Sequence, residues 1–520
     1  MAANGWHRVA AESDVEDGHP LAAEIGRDTV LLARVGGRIY ACAGKCTHYG
    51  APLADGALRG RIITCPWHNA RFDVTNGQMV SPPALDSLRC YEVRVESGDV
   101  YVRPTERVES RPSIGEGATY AIVGAGAAGN AAAETLRRDG FAGRVLLITG
   151  EPDRPYDRPN LSKDFLAGTA EPDWIPLRPE GFYSEHHIEL LTGRRVVSVD
   201  CAARLLRIED GETIPFDKLL VATGGKPREL KVPGAELDGV RLLRTKADAE
   251  AIVADLDGAA SAVIVGGGFI GMEAAAALAE RGVQTHVVAR DSVPLSRVFG
   301  ERIGRWLQSV HEQEGTVFHL GRQVDAIEGS GRLERVILSD GTSLPADVAI
   351  VGIGITPAVD WLSGTGLVVD GAVPVNERLE TGVAGIFEAG DIASVPDPRL
   401  GERIRVEHWV VSERHGQHAA RAMLGAEEAY TDVPFFWTQQ HGKSLSYAGF
   451  ARTVDRIAYR GSVEGGDFLA GYYEGDRLRA IASLWRDAEF IAASEILRAG
   501  GNVSFEDFST DTVNLCEMSS

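Results

Sequence analysis

The sequence predicts a multidomain protein, with an all-β domain first, two α/β domains next and a small α+β domain at the C-terminal end. A chain of 520 residues is too long for one hydrophobic core. Short apolar runs separated by glycine turns fill the first hundred residues, as in a β domain. From Thr119 onward, apolar strands alternate with helical patterns, which indicates parallel sheets with crossover helices.

Turns, composition shifts and an internal similarity place the boundaries. Two hairpins are predicted in the β domain, over Thr29–Ala41 and Tyr91–Val102. Strand-turn-helix units that resemble each other begin at Tyr120 and Ala262, which indicates two dinucleotide-binding domains. The expected segments are the all-β domain over 1–105, a linker over 106–117, the first α/β domain over 118–245 and 366–431, the second over 246–365, and the C-terminal domain over 432–520.

Composition and charge exclude several classes of protein. The content of 44% hydrophobic and 24% charged residues is ordinary for a globular protein, and the six cysteines are too few for a disulfide scaffold. The net charge of −21 opposes binding to nucleic acid and to anionic membranes. The first twenty residues have no apolar core and carry four acids, so a cytoplasmic location is expected.

Four residues in two short loops form a metal-binding pattern. Cys46-Thr47-His48 is followed, after a spacer, by Cys65-Pro66-Trp67-His68. Zinc also binds two cysteines and two histidines, but zinc fingers pair Cys with Cys and His with His. Here each loop supplies one Cys and one His, as a Rieske [2Fe–2S] cluster requires, with two thiolates on one iron and two imidazoles on the other. The predicted ligands are therefore Cys46, His48, Cys65 and His68.

The first glycine-rich turn predicts a Rossmann-like dinucleotide site. Gly124, Gly126 and Gly129 follow an apolar strand and open a helix. These glycines allow a tight turn, close approach of a pyrophosphate and close packing of helix on strand. The phosphates would lie at the helix N-terminus. Glu151, after the next strand, is placed to accept hydrogen bonds from a ribose.

The segment Pro155–Asp164 (PYDRPNLSKD) resembles the FAD-dependent group that contains ferredoxin reductases and apoptosis-inducing factors. The resemblance implies that FAD occupies the first site and that Arg158 and Lys163 face its isoalloxazine ring. Val221–Gly225 and the Gly390-Asp391 pair resemble two other flavin-binding motifs of the group, with Asp391 on the ribityl chain. Further cofactor contacts implied by the resemblance are Val196, Ala222, Thr223, Gly224, Gly354 and Trp409. No cysteine lies between Cys90 and Cys201, which excludes the dithiol mechanism of related disulfide reductases.

A second glycine-rich turn, Gly266, Gly268 and Gly271, is expected to bind the nicotinamide cofactor. Glu273 follows at once. In the resembled group this acid lies near the nicotinamide and pairs with the lysine that matches Lys163, which makes both catalytic candidates. The alternative is an ordinary acid in the first turn of a helix.

The strand after this second turn bears on the choice of nucleotide. It ends in Ala289-Arg290-Asp291, without the acid that NAD-preferring members carry at the place of Ala289. Arg290, assisted by Arg297, suits a 2′-phosphate, so NADPH is favoured over NADH. Asp291 would restore an acid if the register shifted.

The C-terminal segment from Pro434 to Gly449 resembles the last domain of Rieske-bearing members of the same group. By this resemblance Glu407-His408-Trp409 lies close to the flavin, where Trp409 and Trp437 are expected to stack.

The expected function is transfer of electrons from NAD(P)H through FAD to the chain's own Rieske cluster, and then to an external protein or small-molecule acceptor. The acceptor would be a terminal oxygenase, a cytochrome or another ferredoxin, and the chain a monomer or homodimer. Two alternatives stay open: an NAD(P)H oxidase or quinone reductase with the cluster as a side branch, and a redox-responsive signalling protein.

Overall fold

The computed structural model describes residues 5–104 and 113–518, and most of the predicted linker over 106–117 lies outside this range. The chain forms two compact units. The first is drawn from residues 1–114, 431–437 and 446–520, and the second from residues 115–430 and 438–445. Among the described residues, no helix is long and apolar enough to cross a membrane.

The N-terminal part of the first unit is built on an antiparallel six-stranded sheet. In spatial order its strands are His7–Ala11, Asp99–Pro104, Cys90–Glu96, Arg38–Ala43, Asp28–Val35 and Leu21–Ile25. Both predicted hairpins are present, with turns at Gly36-Gly37 and Ser97-Gly98. All four turn residues have positive φ, as two-residue hairpins that match the strand twist require.

A smaller antiparallel sheet carries one of the predicted cluster loops. Its strands, in order, are Ala57–Arg59, Ile62–Thr64, Arg71–Asp73 and Met79–Ser81. Leu53, Ile63 and Phe72 are fully buried in the same hydrophobic core as Cys46 and Cys65. The cluster loops therefore rest on packed apolar side chains, with two 3-10 turns at Glu12–Asp14 and Leu53–Asp55 completing this region.

The C-terminal segment is α+β, as predicted. Its antiparallel sheet has the order Phe435–Gln440, Lys443–Gly449, Arg477–Leu484, Asp467–Glu474 and Arg456–Ser462. The helices Asp487–Arg498, Phe505–Phe508 and Leu515–Met518 follow. Most of this segment groups with the N-terminal domain in one compact unit, whereas residues 438–445 group with the second unit.

The second unit contains two parallel sheets, which confirms the predicted pair of α/β domains. The first has the order Ile188–Leu191, Arg144–Ile148, Thr119–Val123, Lys218–Val221 and Ile386–Glu388. Its last strand comes from the second segment of the domain, which is therefore discontinuous in sequence. The helices Ala127–Arg138 and Trp409–Met423 pack closely, since a Cβ at Gly416 would lie 2.0 Å from the Ala128 carbonyl oxygen.

The second parallel sheet has the order Val240–Leu242, Val348–Val351, Ser261–Val265, Gln284–Ala289 and Val317–Leu320. Its first strand precedes residue 246, so this sheet starts earlier than the predicted boundary. Its helices are Lys246–Asp255, Phe269–Glu280 and Ser296–Gln313.

Each α/β domain also has a three-stranded antiparallel sheet, which extends the predicted internal repeat. These are Val196–Asp200, Leu205–Ile208 and Thr213–Pro215 in the first domain, and Val324–Glu328, Arg335–Leu338 and Ser343–Pro345 in the second. The remaining strands are Gly225–Pro227 paired with Ile355–Pro357, and the set Val373–Pro374, Ala393–Asp397 and Glu402–Ile404. Short helical turns cover Arg158–Ser162, Asp164–Ala167, Pro172–Trp174, Phe182–Glu185 and Asp360–Leu362.

Candidate functional site

The two predicted cluster loops have the same backbone geometry. The Cys46 N–H donates to the Ala51 carbonyl at 2.9 Å, and the Cys65 N–H donates to the Ala70 carbonyl at 2.8 Å, five residues on in each case. The cysteine carbonyls accept from the amides four residues on, those of Gly50 and Asn69. Gly50 and Asn69 both have positive φ, 77° and 56°. The loops are thus built alike, although only one has a glycine at the left-handed position.

The side chains of these loops pair like with like. Cys46 and Cys65 are 3% and 1% exposed, and their thiols lie within hydrogen-bonding reach of each other. The Nδ1 atoms of His48 and His68 are 3.0 Å apart. Two thiols together and two imidazoles together is the division that a two-iron Rieske cluster requires. Among the residues described, no three His, Cys, Asp or Glu side chains are placed to hold one metal ion.

Burial sets the protonation state of His48, one of the two loop histidines. It lowers the pKa of His48 to about 3, which keeps the imidazole neutral, the form in which it binds a metal. The hydrogen bond with Cys65, together with burial, raises the pKa of the Cys46 thiol. The same hydrogen bond lowers the pKa of Cys65, so this pair loses its first proton at Cys65. The residue types and their pairing suit the cluster, which would bind both sulfurs as thiolates.

Trp437 packs beside the two histidines of the predicted cluster loops. Its ring centroid is 4.4 Å from that of His68 and 6.0 Å from that of His48. Residues 431–437 belong to the same compact unit as the cluster loops. Trp437 therefore packs on the predicted cluster ligands, and its stacking at the flavin stays a prediction.

The first glycine motif forms a phosphate-binding turn. A Cβ at Gly124 would lie 2.1 Å from the Ala222 carbonyl oxygen, and one at Gly129 would lie 1.8 Å from the Gly124 carbonyl oxygen. A Cβ at Gly126 would meet nothing within 4 Å. Gly124 and Gly129 thus allow the close packing, while Gly126 borders open space at the N-terminus of the helix Ala127–Arg138. This is the cradle that a pyrophosphate requires.

Arg158 pairs with Glu151, the acid predicted to bind the ribose. Its guanidinium donates to Glu151 Oε1 at 2.8 Å, and Tyr156 Oη donates to Glu151 Oε2 at 2.5 Å. Arg158 also donates to the Arg244 carbonyl. A buried guanidinium needs a carboxylate partner, and the nearest is the acid predicted to hold the ribose. Arg158 is thus paired with the acid predicted to hold the ribose, and its place beside the flavin ring stays a prediction.

The other predicted flavin residues surround the ends of the first parallel sheet. Ala222, Thr223 and Gly224 follow the strand Lys218–Val221, and Gly224 has a positive φ of 64°. Asp391 is 8% exposed and accepts from Arg244 Nη2 at 3.2 Å and from Ser412 Oγ at 3.3 Å.

Val196 and Trp409 complete this set. Val196 is buried in the core that covers one face of the sheet. Trp409 opens the helix Trp409–Met423, and its side chain hydrogen-bonds to Glu413. Burial raises the pKa of Glu413 well above its usual range.

The second glycine motif repeats the first. Cβ atoms at Gly266 and Gly271 would lie 2.3 Å from the Gly352 carbonyl oxygen and 2.1 Å from the Gly266 carbonyl oxygen, whereas one at Gly268 would meet nothing within 4 Å. Gly354 has a positive φ of 99°, and a Cβ there would also point into open space. A second dinucleotide can therefore approach this turn as closely as the first site allows.

The residues predicted to choose between NADH and NADPH lie at the surface. Arg297 Nη2 pairs with Asp291 Oδ1 at 2.7 Å. Arg290 is exposed, at the end of the strand Gln284–Ala289. Asp291 is therefore already held by one arginine, and Arg290 extends from the neighbouring position.

Lys163 and Glu273 form a buried ion pair, as the resemblance implied. Lys163 Nζ lies 2.8 Å from Glu273 Oε2 and donates also to the Pro159 carbonyl at 3.0 Å. The two side chains are 14% and 4% exposed. Ser162 Oγ donates to Glu273 Oε2 at 2.6 Å, and Thr438 Oγ1 donates to Glu273 Oε1 at 2.7 Å. Both carboxylate oxygens thus have donors, as a buried carboxylate requires.

Sequence reasoning missed three residues of this site. Ser162 is adjacent to Lys163, so its position was a local signal that could have been used. Arg244 and Thr438 come from distant segments, and no motif marks either of them.

Comparison with known proteins agrees with this geometry. Residues 118–416 match the sequence profile described as "Pyridine nucleotide-disulphide oxidoreductase", which is more than half of the chain. The chain belongs to the pyridine nucleotide-disulphide oxidoreductase family. In this member, residues 5–92 match the Rieske [2Fe-2S] domain and residues 435–519 match the reductase C-terminal domain. It is an oxidoreductase of that family with a Rieske domain at its N-terminal end.

Several relatives of this oxidoreductase share most of its length. Apoptosis-inducing factor 3 of Homo sapiens is 38% identical over 510 residues, which is 95% of this chain and 84% of that protein. Rhodocoxin reductase of Rhodococcus erythropolis is 34% identical over 377 residues, 72% of this chain and 88% of that protein. The crystal structure of the ferredoxin reductase for the CYP199A2 system from Rhodopseudomonas palustris is similar with a TM-score of 0.74, at 32% identity, over 77% of this chain and 100% of that chain.

Proposed function

We propose that this oxidoreductase takes reducing equivalents from NAD(P)H at a bound FAD and passes them to its own Rieske cluster, and from there to an external acceptor. The observation that carries the proposal is the presence, in one chain, of two dinucleotide cradles, the Lys163–Glu273 pair and two matched cluster loops. When bound, FAD would accept a hydride and release electrons singly, and the [2Fe–2S] cluster would carry them singly.

The residues of the chain supply position and charge. The motif of Gly124 and the motif of Gly266 would each hold one dinucleotide at a helix N-terminus. Lys163 is held by Glu273 with its ammonium group inside the protein, where a cation stabilises a reduced, anionic flavin. Cys46, Cys65, His48 and His68 would hold the two irons.

Several relatives are named as ferredoxin reductases, and these names support a ferredoxin-dependent electron acceptor for this chain. The relatives include the ferredoxin–NAD(+) reductase subunit of the benzene 1,2-dioxygenase system of Pseudomonas putida, which is 34% identical over 73% of this chain. We propose that this chain likewise serves a one-electron acceptor. A direct NAD(P)H oxidase or quinone reductase, and a redox-responsive signalling protein, are outcomes that the experiment below distinguishes.

The test is an anaerobic titration of the FAD- and iron-loaded protein with NADPH and, separately, with NADH. Loss of oxidised-flavin absorbance and growth of the EPR signal of the reduced cluster are followed together. We expect the flavin to bleach and the cluster signal to appear. Cys46→Ser should remove the cluster signal and leave flavin bleaching intact, whereas Cys516→Ser, which changes an exposed thiol, should leave both. Bleaching without a cluster signal would refute the internal route and favour the oxidase or the sensor.

We propose further that NADPH is preferred to NADH. Ala289 supplies no carboxylate to oppose a 2′-phosphate, Arg290 is exposed beside it, and the charge of Asp291 is balanced by Arg297. Arg290→Ala should raise the KM for NADPH by roughly tenfold and leave that for NADH within twofold, since a hydrogen bond to a charged group is worth ~1.5–3 kcal/mol. Preference for NADH in the unmodified protein, with loss of that preference in Asp291→Asn, would instead assign Asp291 to the ribose.

A further inference from the structure

A continuous chain of hydrogen bonds leads away from Glu273 inside the second unit. Thr438 Oγ1, which donates to Glu273 Oε1, accepts from Gln440 Nε2 at 3.0 Å. Gln440 Oε1 lies 2.9 Å from His311 Nε2, and His311 Nδ1 lies 3.2 Å from His441 Nε2. These four residues (Thr438, Gln440, His311 and His441) are called the relay below.

Every member of the relay donates towards Glu273. The Gln440 oxygen can only accept, so His311 carries its proton on Nε2 and presents Nδ1 as an acceptor. His441 must then donate from Nε2 to that atom. The direction is therefore fixed along the whole relay, and aligned hydrogen bonds of this kind polarise one another in a buried site.

Burial keeps the middle of the relay in one protonation state. Thr438, Gln440 and His311 are 1%, 1% and 0% exposed. Burial lowers the pKa of His311 to about 4, so the imidazole stays neutral and keeps one donor and one acceptor nitrogen.

His441, at the outer end of the relay, adopts an unfavourable backbone conformation. His441 and Gly442 form the two-residue turn between Phe435–Gln440 and Lys443–Gly449, with φ of 48° and 69°. Such turns favour Asn-Gly or Asp-Gly, and a non-glycine residue at positive φ is uncommon. Histidine at this position places an imidazole beside His311, which the favoured turn residues cannot do.

We propose that Thr438, Gln440, His311 and His441 are positioning residues for the Lys163–Glu273 pair. Because the relay donates to Glu273 Oε1, it satisfies the oxygen that Lys163 does not contact, and the ammonium group is less tightly drawn to the carboxylate. More of the lysine charge is then available to a reduced flavin. This inference rests on the proposed function for its catalytic consequence, but not for the hydrogen bonds themselves.

The first test compares Thr438→Val with Thr438→Ser in the FAD-loaded protein. Valine removes the hydroxyl at nearly constant shape, and serine restores it. A hydrogen bond to a charged group changes an equilibrium by roughly tenfold or more. We expect Thr438→Val to lower the equilibrium constant for two-electron flavin reduction about tenfold, which is about 30 mV in midpoint potential. We also expect about a tenfold lower kcat with the nucleotide KM within twofold, and recovery of both in Thr438→Ser.

A matched control uses another histidine pair in the same unit. His319 Nε2 lies 3.1 Å from His286 Nδ1, and neither belongs to the relay. His319→Asn should leave the midpoint potential unchanged. Gln440→Leu provides a second relay variant if Thr438→Val does not fold, with a smaller expected shift in the same direction, because Thr438 keeps its hydrogen bond to Glu273 but loses the donor that polarises it. A wild-type potential and kcat in a folded Thr438→Val or Gln440→Leu protein, or equal losses in Thr438→Val and Thr438→Ser, would overturn the proposal.

A second test needs neither flavin nor turnover. In flavin-free protein labelled with ¹⁵N-histidine, the His311 nitrogens should report a neutral imidazole protonated at Nε2, and Gln440→Leu should abolish that fixed tautomer. A His311 protonated at Nδ1 would refute the relay. If neither nucleotide bleaches the wild-type flavin, the proposed function fails, and this spectrum still decides whether the relay exists.

Discussion

In each phosphate-binding turn, one glycine allows close packing and another borders open space. Substitutions at the two allow folding stability and cofactor binding to be tested separately. Gly129→Ala and Gly126→Ala add the same methyl group three residues apart. The first methyl would lie 1.8 Å from the Gly124 carbonyl oxygen, and the second would meet nothing within 4 Å. Gly126 has a φ of −77°, which alanine adopts without strain.

The contact at Gly129 fixes the size of the effect. To accept the methyl group, the helix Ala127–Arg138 must move away from the turn by roughly 1 Å or more. Overpacking of this kind lowers the free energy of unfolding by ~1–3 kcal/mol. Helix propensity returns up to ~1 kcal/mol when glycine becomes alanine. Because the clashing atom is backbone and cannot rotate away, we expect Gly129→Ala to lose ~2 kcal/mol of unfolding free energy without cofactor. Gly126→Ala should change it by less than ~0.5 kcal/mol, as for substitutions away from packed sites.

The assays are urea unfolding of the flavin-free protein and FAD retention on gel filtration. Gly126→Ala should keep its stability yet retain little FAD, since its methyl group occupies the space of the pyrophosphate. The equivalent change Gly268→Ala should leave FAD bound and raise the KM for the nicotinamide nucleotide. FAD loss in Gly268→Ala, or full FAD retention in Gly126→Ala, would refute the assignment of the two cradles.

Three further changes test other parts of the structure. Burial raises the pKa of Glu388 well above its usual range, and neither of its carboxylate oxygens has a hydrogen-bond partner among the described residues. As pH rises from the usual carboxyl pKa towards the raised pKa of Glu388, the unfolded chain loses a proton that the folded protein keeps. The free energy of unfolding therefore falls over this range of pH. The free energy of unfolding of Glu388→Gln, measured with urea, should therefore rise relative to that of the wild type by up to ~1.4 kcal/mol per pH unit in that range. An equal difference at every pH would contradict this. Arg460, 2% exposed, donates to the carbonyls of Phe508 and Val513, each at 2.7 Å. Arg460→Met should cost ~3 kcal/mol or more and expose the C-terminal helices to proteolysis, with Arg460→Lys intermediate. Arg158→Met removes a partner of Glu151 and should weaken FAD binding roughly tenfold in a flavin-release assay, while normal retention would remove Arg158 from the site.

Local patterns in the sequence were enough to predict much of this protein. Each cluster loop depends on residues within five positions of its cysteine, and each glycine cradle on one strand-turn-helix unit, so spacing and residue type carry the information. The two cluster loops share one backbone conformation that the spacing of their cysteines and histidines did not predict. Asn69 adopts the left-handed conformation of Gly50, and asparagine is one of the few residues that tolerate it.

Contacts between distant segments could not be predicted in the same way. Thr438 reaches Glu273 across 165 positions of sequence, and Trp437, its neighbour in the chain, packs on His68. Successive residues of a strand point to opposite faces, so their partners depend on packing that no motif records. The contacts of Arg158 with Glu151 and with the Arg244 carbonyl were likewise not predicted, because the resemblance placed Arg158 beside the isoalloxazine ring.

Strand register shows how one repeated unit can serve two nucleotides. In the first copy Val123 pairs with Ile148, and in the second Val265 pairs with Val288, so Glu151 and Asp291 occupy equivalent positions, three residues beyond the paired strand end. Each acid is bound by an arginine that follows it, Arg158 or Arg297. The acid alone therefore does not distinguish the copies. The difference lies one position earlier, where Gly150 has no side chain and its equivalent, Arg290, projects a guanidinium from the protein surface. We therefore expect a charge added at that position to change which ribose substituent the turn accepts, without altering the glycine geometry that would hold the phosphates.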